Sequence, residues 1–201
     1  MRLVAVSKLK PAADALALYT ATGHTHFGEN YVQELLDKAA ALPRDINWHF
    51  IGQLQSKKAR KLAEDIPNLW AVESCDSVKK AALLETGRKN LAAKAPGAPI
   101  LRVYVQVNTS GEESKSGCEP VETLTIARHI KDECPHLKLQ GLMTIGDIMR
   151  SKASEVENED FLLLKETAAN VEKELSVELE LSMGMSSDYE AAIQLGATNV
   201  R

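Results

Sequence analysis

Leu69-Trp70-Ala71-Val72-Glu73-Ser74-Cys75-Asp76-Ser77-Val78-Lys79-Lys80 contains the whole fold in miniature. Residues 69–73 are a short apolar run with aromatic and β-branched members, the composition of a buried strand. Asp76 then stands where a helix N-cap belongs, and a helix is predicted over residues 77–93. The same unit recurs along the chain. Strand-like runs occupy residues 3–7, 25–28, 48–52, 101–107, 139–144 and 181–185. Predicted helices over 12–21, 30–41, 56–64, 120–133, 159–176 and 188–195 alternate with them. Pro120 suits a first helical turn. The segment from Phe161 to Leu175 carries apolar residues three and four apart, as a core-facing helix does. Seven strand–helix units, with Thr198-Asn199-Val200 opening an eighth strand, predict a (β/α)8 TIM barrel over residues 1–201 as a single domain. A doubly wound open sheet shares this local pattern, and periodicity alone does not separate the two.

The 201 residues are 44% hydrophobic and 26% charged, with a formal net charge of -4. That balance supplies a core but no basic face, which argues against a nucleic-acid partner. Three cysteines, Cys75, Cys118 and Cys134, are an odd number without a C-x-x-C pair. They point to neither a disulfide framework nor a metal site, and a reducing compartment suits them. No apolar run approaches a membrane span, and residues 3–6 are too short for a leader. A cytoplasmic protein is expected, with a mitochondrial pool as the other compartment. Residues 147–160 are polar and charged, and read as an excursion on the barrel rim.

Candidate chemistry gathers at strand ends. In VAVSKLKP (residues 4–11) alternation puts Val4, Val6 and Lys8 on one face, and Lys8 falls where the strand stops. Catalytic side chains of barrels sit at such C-terminal strand ends. An amine desolvated there is a nucleophile toward an aldehyde, forming a Schiff base. A solvated rim lysine is the competing reading, and it is the better one for Lys10, already beside Pro11. FGENYVQE (27–34) and WHFIGQLQSKK (48–58) each pass from a strand through a glycine into polar residues. Asn30, His49 and Gln53 are placed to enter a mouth. Asn30 as a helix cap and His49 as a satisfied core histidine are the alternatives. VQVNTSGEESKSG (105–117) offers either an anion-binding loop or a plain turn, and lacks P-loop spacing. In SMGMSSDYE (182–190) small residues lead into a helix, with Ser186, Ser187 and Asp188 as possible caps and a helix start suited to phosphate. Met143, Met183 and Met185 read first as apolar wall.

These five stretches, with GLMTIG (141–146) and the continuation to Asn199-Val200-Arg201, resemble in order the pyridoxal phosphate homeostasis family. The resemblance spans essentially the whole chain. It implies a barrel similar to the N-terminal domain of alanine racemase. It further implies that Lys8 carries pyridoxal 5′-phosphate as an aldimine. Ser186 with adjacent Ser187 and backbone would hold the phosphate, and Arg201 would face the pyridine nitrogen. Asn30, His49, Met143 and Met183 are the implied ring neighbours. The family pattern includes a helix before the first strand and an Ile-Gly-Thr- or Ile-Gly-Ser-like turn after the final arginine, so the chain reads as lacking its terminal segments. The implied role is a non-catalytic carrier in pyridoxal phosphate homeostasis, a monomer or weak homodimer that passes cofactor to apo-enzymes. The alternative is a PLP-dependent racemase, for which Tyr31, Tyr104 and Tyr189 show no claim to the opposing base. A phosphosugar enzyme would rest on Glu29 and Glu73 alone.

Overall fold

A strand that alternates with a helix returns parallel to its predecessor, and this chain does so throughout. The computed structural model describes residues 1–112, 116–147 and 158–201. The rim excursion expected over 147–160 and the residues 113–115 of the glycine- and hydroxyl-rich loop therefore fall largely outside the described residues. In chain order the elements are β1 (Arg2–Leu3), β2 (Ala5–Val6), α1 (Ala12–Thr22), β3 (His26–Glu29), α2 (Val32–Ala41), β4 (Asn47–Phe50), α3 (Ser56–Asp65), β5 (Leu69–Cys75) and α4 (Val78–Lys94). They continue with β6 (Leu101–Gln106), a 3-10 turn (Pro120–Glu122), α5 (Thr123–Glu133), β7 (Leu137–Met143), α6 (Glu159–Leu175), β8 (Glu180–Ser182), α7 (Tyr189–Gln194) and β9 (Asn199–Val200).

The sheet order is β1-β9-β8-β7-β6-β5-β4-β3-β2, parallel throughout. Only Val4 separates β1 from β2, and its N–H donates to the Val200 carbonyl at 2.8 Å. One stretch of chain thus pairs with β9 through Arg2 and Leu3, and with β3 through Ala5 and Val6. The sheet closes on itself. That closure excludes the open doubly wound alternative.

Outward-facing strand residues such as Trp48, Phe50, Val103, Val105 and Leu142 pack against Leu35, Leu62, Leu84, Ile130 and Leu164 of the helical ring. Each such burial stabilises by about 1.5–3 kcal/mol, which is why the outer layer is almost purely apolar. The helix start after β5 lies one residue later than expected. Ser77 is the N-cap, its Oγ accepting from the Lys80 N–H at 3.3 Å, while Asp76 forms an ion pair with Lys80. Pro120 occupies the first turn as predicted, although that turn is 3-10 rather than α.

Candidate functional site

Parallel strands all deliver their C-terminal ends to one rim, so residues just past each strand meet whatever their separation in sequence. Lys8 follows β2, Asn30 follows β3, Ile51 follows β4, Ile145 lies past β7, Met185 and Ser186 past β8, and Arg201 follows β9. All of them line one cavity of about 500 Å³, together with Val4 and Val6. Lys8 is exposed on its edge, in the turn that follows Ser7.

Two features of the wall distinguish it from an ordinary rim. The side-chain Oδ1 of Asn30 is buried without a hydrogen-bond partner. Asn30 does not cap α2, whose N-cap is Tyr31 with no side-chain cap. An unsatisfied buried amide is costly, and because Asn30 also lines the cavity a polar group bound there would answer it. Behind it, a Cβ at Gly52 would lie 2.1 Å from the Asn30 carbonyl oxygen, so the loops after β3 and β4 touch only because residue 52 is glycine.

The opposite wall is the turn of residues 185–188. Neither Ser186 nor Ser187 caps a helix, because Asp188 is the N-cap residue of α7 and its Oδ1 instead accepts the Met185 N–H at 2.6 Å. The serine hydroxyls are left to the rim. Arg201 completes the wall. Its Nη1 donates to Ser182 Oγ at 3.1 Å, its Nη2 to the Thr144 carbonyl at 2.6 Å, and its backbone N–H to the Gly184 carbonyl at 3.1 Å. Burial lowers its pKa from the usual value, against the pull of the Glu73 and Asp188 carboxylates.

Beneath the cavity lies a polar chain. Ser182 Oγ donates to Glu73 Oε2 at 2.6 Å, Asn199 Nδ2 donates to both Glu73 oxygens, and His49 Nδ1 meets Glu73 Oε1 at 2.6 Å. His49 Nε2 in turn lies 2.9 Å from His26 Nδ1. Burial alone would push the Glu73 carboxyl up, but His49, Arg201 and the Ser182 hydroxyl outweigh it and hold it below the ordinary value. His49 is thus a satisfied interior residue. Met143 packs with Ala71 and Tyr104 inside the barrel, and Met183 in the outer core.

The structure therefore brings Lys8, Asn30, Ser186 and Arg201 together and sets Ser187 beside them. His49, Met143 and Met183 do not line the cavity. Gln53 is exposed on the rim. In the loop after β6, Asn108 is closed on itself through Glu112 O and Ser110 Oγ, the plain-turn reading. Ile51 and Ile145 were not singled out from the sequence, because a lone apolar residue after a strand carries no signal. Glu73 carried one: a carboxylate inside an apolar strand must face a polar interior. A larger groove of about 660 Å³ opens between β6, β7 and the residues before β8, lined by Ile100, Arg102 and Lys138 among others. None of the residues singled out from the sequence lies in it.

The profile of the alanine racemase N-terminal domain matches residues 1–201. The pyridoxal phosphate homeostasis protein of Schizosaccharomyces pombe is 46% identical over 199 residues, which cover 99% of this chain and 80% of that protein. The chain belongs to the pyridoxal phosphate homeostasis family. The human member is 46% identical over 209 residues, covering 100% of this chain and 73% of its own length. Among solved structures of the family, PipY of Synechococcus elongatus with PLP bound superposes with a TM-score of 0.79. It is 32% identical, over 100% of this chain and 89% of that one.

Proposed function

We propose that residues 1–201 form one unit that binds pyridoxal 5′-phosphate, holds it covalently on Lys8 and serves its homeostasis as a carrier rather than a catalyst. One observation carries this reading: the lysine, serine, asparagine and arginine expected from the family motifs share a single cavity at the barrel mouth. The residues suit the ligand chemically. The unpartnered Asn30 Oδ1 is an acceptor awaiting a donor, Ser186 offers a hydroxyl to a phosphate, and Arg201 offers only donors.

Bound pyridoxal phosphate supplies an aldehyde that takes up an amine and a ring that withdraws electrons. Lys8 Nζ is the nucleophile toward that aldehyde. Ser186, with Ser187 beside it, anchors the phosphate end. Arg201, fixed by Ser182 and the Thr144 carbonyl, presents N–H groups at the far wall and does not deliver a proton to a ring nitrogen there. His49 acts through Glu73 and Ser182 rather than by touching the ligand, Met143 supports the interior below it, and Met183 belongs to the outer core.

The carrier reading is favoured over the racemase by what lines the cavity. Lys8 and Arg201 are its only titratable side chains among the described residues. Tyr31 and Tyr189 are exposed elsewhere, and the Tyr104 hydroxyl is bonded to Glu180 inside the barrel. Racemisation needs a second base opposite the first. A reversible hold on a reactive aldehyde suits delivery to PLP-dependent apo-enzymes, by a monomer or weak homodimer.

The test is borohydride reduction of the PLP-loaded protein followed by peptide mass spectrometry. The pyridoxyl mass is expected on Lys8 and is absent from Lys8→Ala. Labelling of Lys10 in the wild type would overturn the assignment. Solvent deuterium incorporated at Cα of free amino acids at more than about one turnover per second, abolished in Lys8→Ala, would replace the carrier with an enzyme.

A further inference from the structure

Beside the cavity, between β2, β3 and α2, lies a buried charge cluster that the ligand site does not use. Lys38 is only 4% exposed although it sits on a helix, and Glu29 is 0% exposed. The Lys38 ammonium has three donors, and all three are spent. They reach Glu29 Oε1 at 2.6 Å, Glu34 Oε1 at 2.8 Å and the Ser7 carbonyl at 2.7 Å. Burial would lower its pKa, but the two carboxylates outweigh that and raise it.

The same two carboxylates also hold the chain on either side of Lys8. Ser7 Oγ donates to Glu29 Oε1 at 2.7 Å, and the Leu9 N–H donates to Glu34 Oε1 at 2.7 Å. Leu9 has φ 61, a left-handed backbone that a leucine avoids, and its side chain is 75% exposed. No packing of that side chain accounts for the conformation. A non-glycine residue persists there only where its surroundings over-determine it. Here the surroundings are Glu34 on the Leu9 amide and Lys38 on the Ser7 carbonyl, one residue to each side of Lys8.

We propose that Lys38, clamped by Glu29 and Glu34, is a positioning residue that holds the Ser7–Leu9 turn so that Lys8 Nζ is aimed into the cavity. The clamp contributes no atom to the cavity wall. Its effect is therefore on the reach of the amine and not on the phosphate or ring contacts. This rests on Lys8 as the attachment point.

The experiment uses Lys38→Met and, because that change leaves Glu29 buried without its counter-ion, the doubly neutral Lys38→Met/Glu29→Gln. Three quantities are read in the full chain. The first, without ligand, is hydrogen exchange at the Leu9 amide, expected to quicken by about tenfold as its tether loosens. The second is the rate at which pyridoxal phosphate becomes fixed by borohydride quench, expected to fall by roughly tenfold to a hundredfold, the usual consequence of misplacing a reacting group. The third is the affinity for pyridoxine 5′-phosphate, which has an alcohol in place of the aldehyde. It is expected to stay within about threefold of wild type, since its contacts do not involve the clamp. A folded double variant that is captured at the wild-type rate overturns the proposal. Equal losses for aldehyde and alcohol overturn it too, because the whole cavity would then have been deformed. A wild type that is never captured overturns the attachment reading instead, and Leu9 exchange still judges the clamp.

Discussion

The two ends of the barrel are built from similar residue types and put them to opposite uses. At the mouth, Lys8 is exposed and Asn30 carries an unanswered acceptor. At the floor, Arg2 donates to both Glu180 oxygens, at 2.6 and 3.2 Å, and to Tyr104, which itself donates to Glu180. Gln140 adds a fourth bond to the same carboxylate at 2.7 Å. Trp70 lies under the guanidiniums of Arg2 and Arg102, at 4.1 and 4.3 Å. Polar groups that answer one another fix a structure, whereas polar groups left open wait for a ligand. Changes at the mouth should therefore act first on binding, and changes in the interior or floor first on stability.

The severest test of that division is Glu73→Ala. It strips the common partner from His49, Ser182 and Asn199 inside the barrel. Removing one member of a buried charged network costs about 3–5 kcal/mol, so the urea midpoint should fall accordingly. A loss below about 1 kcal/mol would mean that the interior network is not what holds the barrel.

Ser186→Ala is the counterpart at the mouth. A hydrogen bond to a charged group contributes about 1.5–3 kcal/mol, so the affinity for pyridoxal phosphate should drop roughly tenfold to a hundredfold. Pyridoxal, without the phosphate, should bind as before, and the denaturation midpoint should not move. Parallel losses in both ligands would make the serine a structural residue and erase the contrast.

The smallest effect is a matter of pH at the floor. His26 is pushed down from 6.5 to about 4, first by burial and then by His49, Arg2, His24 and Arg102 around it. Between those pH values the unfolded chain binds a proton there and the folded chain does not. The stability His26 contributes is thus present above pH 6.5 and lost as the pH falls toward 4. Because the ring is partly exposed, the loss is discounted to about 1 kcal/mol. His26→Gln should flatten the stability profile in that window by this amount, measured as urea midpoints across the range. Identical profiles would remove His26 from the account.

Much of this was legible from the residues alone. The strand–helix alternation is local, so most elements emerged within two residues of their observed bounds, although β8 stops at Ser182, three residues short of the expected end, and α5 begins at Thr123, after the 3-10 turn. Lys8, Asn30 and Ser186 could be found as candidates because position past a strand end is also local, whereas Arg201 came only with the family resemblance. Closure was not legible: it depends on Arg2 meeting Asn199 across the whole chain. Nor was the interior network, whose members Glu73 and Asn199 are 126 residues apart. His49 illustrates the gap. Its sequence context fits both a ligand contact and a core histidine, and only the pairing of β4 with β5 places its ring against Glu73. Lys38 was invisible for another reason, since a lysine on an amphipathic helix reads as solvated.

The first strand has one neighbour that is made early and one that is made much later. β2 pairs with β3 about twenty residues on, whereas β1 waits for Asn199 and Val200. During synthesis Val6 can pair with Gly28 long before Arg201 has left the ribosome. A nascent chain therefore carries the Lys8 edge of the cavity before its Arg201 wall, and the cavity is complete only when the barrel shuts. The cavity is thus also a gauge of closure, because the most distant pairing of the sheet and the Arg201 wall of the cavity are laid down by the same few residues.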